Sequence, residues 1–141
     1  IMNSRVLIAA LVGAIISFFL GWLIYGYLVT DYYAAHSLTK YYIGLEKPYP
    51  NLVGIFLSCF AYTLLLAVIF ANLSNITTVR NGALAGIAIS LLMALSFNLN
   101  VWSMMNLYGK SIVIADTLIN AATGGIIGAV IAWILGYKKS E

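Results

Sequence analysis

Four long runs of uncharged, mostly apolar residues separate the few charged residues of this 141-residue chain. Each run is close to the ~20 residues that an α-helix needs to cross the hydrocarbon core of a bilayer. We therefore predict an all-α integral membrane protein, with four transmembrane helices in an up-down bundle. The predicted spans are residues 6–29, 52–73, 82–101 and 117–137, and residues 30–51 form an interfacial or extramembrane connection.

The composition agrees with a lipid environment. Hydrophobic residues make up 63% of the chain and charged residues only 8%, whereas charged residues make up roughly a quarter of a soluble domain. The net charge of +3 is assigned to the ends of the helices, so it requires no nucleic acid as a partner. The whole chain, residues 1–141, is predicted to be one transmembrane domain whose partner is the lipid bilayer.

Small residues recur at every fourth position in three of the four spans. Residues four apart share one helix face, so each small-xxx-small row forms a groove in which another helix can come close. We interpret the rows as helix-packing surfaces rather than as ligand sites. Their members are Gly13, Ser17 and Gly21 in the first span, Gly82, Gly86 and Ser90 in the third, and Gly124, Gly128 and Ala132 in the fourth.

Polar residues are predicted to converge at one end of the bundle. An up-down arrangement brings the ends of the first and third spans to the same level as the start of the fourth. The residues placed there are Asp116, Asn120, Asn98, Asn100, Tyr25 and Lys110. A site, if the chain has one, is predicted at this end.

Asp116 allows two interpretations. Asp is a preferred N-cap residue, so we predict that Asp116 begins the fourth helix and that its carboxylate accepts hydrogen bonds from free backbone N–H groups. If the helix begins at Ser111 instead, Asp116 lies about 7 Å inside it, with Asn120 one turn deeper. A partly buried carboxylate would then indicate an ion or proton site. In either case Lys110 or His36 is predicted to neutralise it.

The sequence contains no set of residues typical of a catalytic or metal centre. It has no Ser–His–Asp set, no His-rich metal motif and no phosphate-binding loop. His36 and Asp31 together supply only two candidate metal ligands. The single cysteine, Cys59, excludes an intrachain disulfide. We therefore predict that the chain is not an enzyme and needs neither a cofactor nor a metal.

The basic residues favour one orientation by a small excess. Arg5, Arg80, Lys138 and Lys139 belong to the side of the termini, and Lys40, Lys47 and Lys110 belong to the other side. The positive-inside rule therefore predicts cytoplasmic termini.

Several short motifs resemble those of a known family. They are LGWLIYG at residues 20–26, DYYAAHS at 31–37, MMNL at 104–107, and Asp116 followed by a glycine-rich helix. In these motifs the chain resembles the small four-helix bacterial membrane proteins grouped as domain-of-unknown-function family 1761. The resemblance implies a compact four-helix unit in a bacterial inner membrane, and it implies no particular activity.

Two functions remain open at this point. We expect a helix-packing interaction or scaffold unit, as a homo-oligomer or as an accessory subunit of a larger membrane complex, because the small-residue rows exceed what one bundle must bury. The alternative is a conduit or binding protein for a small solute, an ion or protons, with a polar cavity around Asp116 and Asn120. The two differ in whether the polar side chains point into the bundle or to its rim.

Overall fold

The computed structural model describes residues 2–38, 47 and 49–137. In chain order its elements are α1 (Ser4–Leu23), a π-helical turn (Ile24–Leu28), α2 (Thr30–His36), α3 (Leu52–Val68), a second π-helical turn (Ile69–Leu73), α4 (Val79–Met104) and α5 (Lys110–Gly136). The predicted connection thus contains one short helix, α2. The rest of its predicted interfacial stretch, residues 39–46 and 48, lies outside the described residues, as do Lys138 and Lys139.

In the part of the chain that the structure describes, four helical segments are long and apolar enough to cross a membrane, which agrees with the number of spans predicted from the sequence. They are Ser4–Leu28, Leu52–Leu73, Val79–Met104 and Lys110–Gly136. The first three agree with the predicted spans to within three residues at either end. The hydropathy of the sequence was sufficient to locate them because each is bounded by charged or turn-forming residues.

The prediction that Asp116 begins the last helix is wrong. Helix α5 begins at Lys110, with Gly109 in the N-cap position and no side-chain cap. Asp116 therefore lies about 9 Å inside the helix, at 1.5 Å per residue. The additional turns are stabilised by packing, because Ile112 and Val113 are both buried. Three of the other helices begin at side-chain caps, which are Asn3 for α1, Asn51 for α3 and Thr78 for α4.

Three helix pairs form the bundle. Helix α4 packs along α5, α1 packs along α3, and α1 also packs against α5. Helices α3 and α4 do not pack along each other, although the Tyr62 hydroxyl and Ser90 Oγ form a hydrogen bond between them. The helices thus follow the order α4, α5, α1, α3 around the bundle, with a gap between the first and the last.

The small-residue rows of α4 and α5 pack against each other within one chain. A Cβ atom added to Gly82 would collide with the carbonyl oxygen of Gly128, and one added to Gly86 would collide with that of Gly124. The backbones are therefore in direct contact, as small-xxx-small rows permit. All six predicted members of these two rows, from Gly82 to Ala132, are buried.

The small-residue row of α1 contacts a neighbouring helix at one end but not at the other. A Cβ atom added to Gly13 would lie 3.2 Å from Cβ of Thr63, so Gly13 does pack against α3. Ser17 lines a cavity instead, and a Cβ atom on Gly21 would have no atom within 4 Å. The interpretation of Gly21 as a helix-packing residue is therefore wrong within this chain, whereas Ser17 is half-buried beside the cavity.

The apolar core fills the half of the bundle that contains the start of α1. It includes Val6, Leu66, Phe70 and Ile131, all of them fully buried. The Thr63 hydroxyl lies in this core and donates a hydrogen bond of 2.7 Å to the carbonyl oxygen of Ala10. The opposite half, towards the start of α5, contains the polar residues.

Candidate functional site

The carboxylate of Asp116 accepts hydrogen bonds from four neutral side chains. Its Oδ1 atom accepts from the hydroxyls of Tyr25 at 2.6 Å and Tyr33 at 3.0 Å. Its Oδ2 atom accepts from the amides of Asn98 at 2.7 Å and Asn120 at 3.1 Å. Because both oxygens act only as acceptors, the arrangement suits the ionised form of the carboxylate.

The four donors come from four different elements. Tyr25 belongs to the π-helical turn after α1, Tyr33 to α2, Asn98 to α4 and Asn120 to α5. π-helical turns inside longer helices are frequent at functional sites. The carboxylate therefore joins every helix of the bundle except α3.

A second group of hydrogen bonds orients the amide donors. Asn98 is 3% exposed, and its Oδ1 atom accepts from the Tyr108 hydroxyl at 3.1 Å. The Asn120 amide also donates to the backbone carbonyl of Asp116 at 2.8 Å, one turn back along α5. Since each amide makes more than one hydrogen bond, the N–H groups that face Asp116 are held in place before any ligand arrives.

The residues predicted to neutralise Asp116 do not do so. The Lys110 ammonium lies 5.6 Å from the centre of the Trp102 ring. The His36 ring stacks on Tyr32, and its Nδ1 atom is 2.8 Å from the Tyr32 carbonyl oxygen. Within the part of the chain that the structure describes, no cationic group forms an ion pair with Asp116. Both side chains contact aromatic rings instead, Lys110 that of Trp102 and His36 that of Tyr32.

The predicted cluster is thus only partly assembled. Asp116, Asn120, Asn98 and Tyr25 come together, whereas Lys110 and Asn100 are exposed and stay outside. Sequence reasoning missed Tyr33 and Tyr108 as members. Neither has a local signal, since Tyr33 is 83 positions away from Asp116 and lies among other tyrosines that are typical of a membrane surface.

A cavity of about 470 Å³ extends from Asp116 and Asn120 into the bundle. All four long helices contribute to its walls. The hydroxyl-bearing residues are Ser17, Ser58, Tyr62, Ser90 and Thr123, and the apolar ones are Met93, Ala94, Phe97 and Ile127. The cavity therefore has a carboxylate at one end, a line of hydroxyls and an apolar wall.

The phenols outside the long helices are held in their protonated form. Burial raises the pKa of Tyr33, and the negative charge of Asp116 and its hydrogen bond raise it further. Burial and the same charge also raise the pKa of Tyr108. Loss of either proton would place a second negative charge beside the carboxylate, so both phenols remain donors up to alkaline pH.

These pKa values predict an alkaline loss of stability. A pKa raised in the folded state contributes stability that is present below the unfolded value of 10 and is lost as the pH rises through the folded value. We expect the unfolding temperature in detergent to fall above pH 10, and to fall less steeply in Tyr33→Phe than in the wild type. Tyr49→Phe is the control, because Tyr49 is 86% exposed. Equal alkaline slopes for Tyr33→Phe and wild type would contradict the prediction.

The described residues define a class of protein. They are all-helical, four of their helices are long and apolar enough to cross a membrane, and a hydrogen-bonded carboxylate lies among these helices. In the described ranges no three His, Cys, Asp or Glu side chains form a group that could hold a metal. No protein-family model, curated protein or solved structure matches the chain. The resemblance to domain-of-unknown-function family 1761 therefore stays a prediction.

Proposed function

We propose that this chain is a multi-pass protein of a bacterial inner membrane that binds or conducts a small solute, an ion or protons at Asp116 and Asn120. The observation that carries the proposal is the Asp116 carboxylate, which has four neutral donors and no cationic partner among the described residues, at the end of a 470 Å³ cavity. An ionisable group within a membrane-spanning helix is costly in a bilayer and generally serves an ion, a proton or a ligand.

The electrostatics of the cavity favour a cationic ligand. Hydrogen bonds from neutral donors stabilise a carboxylate, but they leave its net charge in place. Among the residues that the structure describes, no basic side chain lines the cavity. A cation that enters would therefore meet a negative field in surroundings of low dielectric, where the attraction is stronger than in water.

The packing of the small-residue rows also supports this function over the scaffold that we expected from the sequence. The rows of α4 and α5 face each other within one chain, so they are not available to a second one. A homo-oligomer or a larger complex stays a prediction. The small-residue rows of α4 and α5 no longer support it, because they pack against each other.

The orientation follows from the predicted side of the termini. The start of α5 and the end of α4 lie at the end of the bundle opposite the N-terminus of α1. With cytoplasmic termini, the Asp116 site lies nearer the outer surface of the inner membrane. This placement suits a protein that takes its ligand from the outer side or from the membrane.

The proposal is tested in proteoliposomes with wild-type protein, Asp116→Asn and Asp31→Asn. Influx of H⁺, Na⁺ and K⁺ is followed with ion-sensitive dyes, and binding of tetramethylammonium is measured by calorimetry on the purified protein. We expect at least one of these cations to bind to the wild type or to pass through it. In Asp116→Asn the affinity or the influx rate for that cation should fall by about tenfold or more. Asp31 lies outside the cavity on α2, so Asp31→Asn should match the wild type. Equal activity of wild type and Asp116→Asn, or none in either, would refute the proposal.

A further inference from the structure

We infer that the cavity takes an amphiphilic monovalent cation, an ammonium group on a single hydrocarbon chain, which enters from the bilayer through the gap between α3 and α4. The inference rests on the proposed function and specifies its substrate class. It follows from three features of the cavity: the side on which it opens, the charge at its end and the character of its walls.

The cavity opens sideways, between α3 and α4. The other neighbouring helices of the bundle pack along each other, whereas these two do not. Three residues that line the cavity are also exposed on this side, namely Ser58 on α3 and Met93 and Phe97 on α4, the last of them 68% exposed. Their neighbours Leu57 and Leu92 are exposed as well, so the opening is surrounded by apolar surface of the kind that faces lipid.

The end of the cavity at Asp116 suits an ammonium group. The carboxylate of Asp116 supplies the negative charge, and none of the described residues that line the cavity has a basic side chain that would hold an anion. The Thr123 hydroxyl donates its proton to the Ile119 carbonyl at 3.0 Å, which leaves its oxygen free to accept. A head group there would thus lie beside one full negative charge, and one that carries N–H groups would also find a free acceptor.

The walls and the volume suit a hydrocarbon chain behind that head group. Met93, Ala94 and Phe97 of α4 and the buried Ile127 of α5 are the apolar lining residues, and Met93 and Phe97 are exposed at the opening. Met adapts to ligands of irregular shape. A volume of 470 Å³ equals that of about 16 water molecules at ~30 Å³ each, far more than a single dehydrated ion occupies. The hydrocarbon chain of a ligand bound along these residues would extend through the opening between α3 and α4 into the surrounding lipid.

Equilibrium binding to the protein in phosphatidylcholine nanodiscs tests the substrate class, with empty nanodiscs subtracted. The radiolabelled probes are tetramethylammonium and dodecyltrimethylammonium, and dodecyl maltoside is the neutral competitor. We expect the long-chain cation to bind at least about tenfold more tightly than tetramethylammonium, since the membrane concentrates it beside the opening. We expect Asp116→Asn to bind the long-chain cation about tenfold or more weakly than the wild type does. We expect dodecyl maltoside not to displace the long-chain cation.

A matched pair of substitutions tests the route. Ser58 lines the opening, and the adjacent Leu57 is similarly exposed but does not line the cavity. We expect Ser58→Trp to reduce binding of dodecyltrimethylammonium at least about fivefold, and Leu57→Trp to leave it unchanged. Both sites are on the surface, so neither variant requires repacking of the core.

The outcomes separate this inference from the proposed function. If tetramethylammonium binding depends on Asp116 but the hydrocarbon chain adds nothing, or if Ser58→Trp has no effect, the amphiphile inference is wrong and the proposed function stands. Competition by dodecyl maltoside would likewise overturn it, because the site would then recognise the chain and not the charge. If neither cation binds and no ion passes, both proposals fail.

Discussion

Gly86→Leu is expected to destabilise the bundle by about 3 kcal/mol or more, or to prevent folding. Overpacking of a well-packed interior typically costs 1–3 kcal/mol, and more where nothing can move. Here the added Cβ would overlap the Gly124 carbonyl and lie 3.1 Å from Cα of Gly128. These are backbone atoms, so α4 and α5 must separate along their contact. Titration with sodium dodecyl sulfate, followed by circular dichroism, measures the free energy of unfolding.

Gly21→Leu is the control, because a Cβ atom at Gly21 has no neighbour within 4 Å. Leu also has a better helix propensity than Gly by several tenths of a kcal/mol, so this variant should be as stable as the wild type or slightly more stable. Light scattering on the same samples measures whether the protein is a monomer or an oligomer. If Gly86→Leu converted a wild-type oligomer into folded monomers, the row would lie between chains, and the contact of α4 with α5 within one chain would be wrong.

The number of long helices could be predicted from the sequence because hydropathy is a local property. A run of apolar residues such as Leu52–Leu73 is too long and too uniform for any other element. The small-residue rows of α4 and α5 were also visible, since the four-residue period is a property of one helix. Which helix each row contacts is not local, and the α1 row shows this: Gly13 packs while Gly21 does not.

The site itself was only partly predictable. Asp116, Asn98, Asn120 and Tyr25 were grouped correctly because an up-down bundle brings the ends of its helices to one level. The beginning of α5 was misplaced because Asp is both a preferred cap and a functional residue, and the sequence alone does not distinguish the two roles. The part played by Tyr33 depends on how α2 folds back over α5, which no periodicity encodes.

Tyr25→Phe and Asp116→Asn are expected to be coupled by about 1.5 kcal/mol in a double-mutant cycle of unfolding free energies. The Tyr25 hydroxyl donates to Asp116 Oδ1 at 2.6 Å, and a hydrogen bond to a charged acceptor contributes about 1.5–3 kcal/mol. Interhelical hydrogen bonds in membrane proteins average about 0.6 kcal/mol in such cycles and reach about 1.7 kcal/mol, so the expected coupling lies near their upper end because the acceptor is charged. Each single substitution should destabilise, and the double variant should cost less than the sum of the two.

The pair Tyr25→Phe and Asp31→Asn provides the control, and it should be additive to within about 0.5 kcal/mol. The cycle also distinguishes the two interpretations of Asp116. An N-cap carboxylate would tolerate Asn almost without loss, because Asn and Asp cap equally well. A carboxylate that accepts from two phenols and two amides cannot be replaced in this way, since the Asn amide places a donor against donors. Stability unchanged by Asp116→Asn, without coupling to Tyr25, would therefore remove the basis of the site.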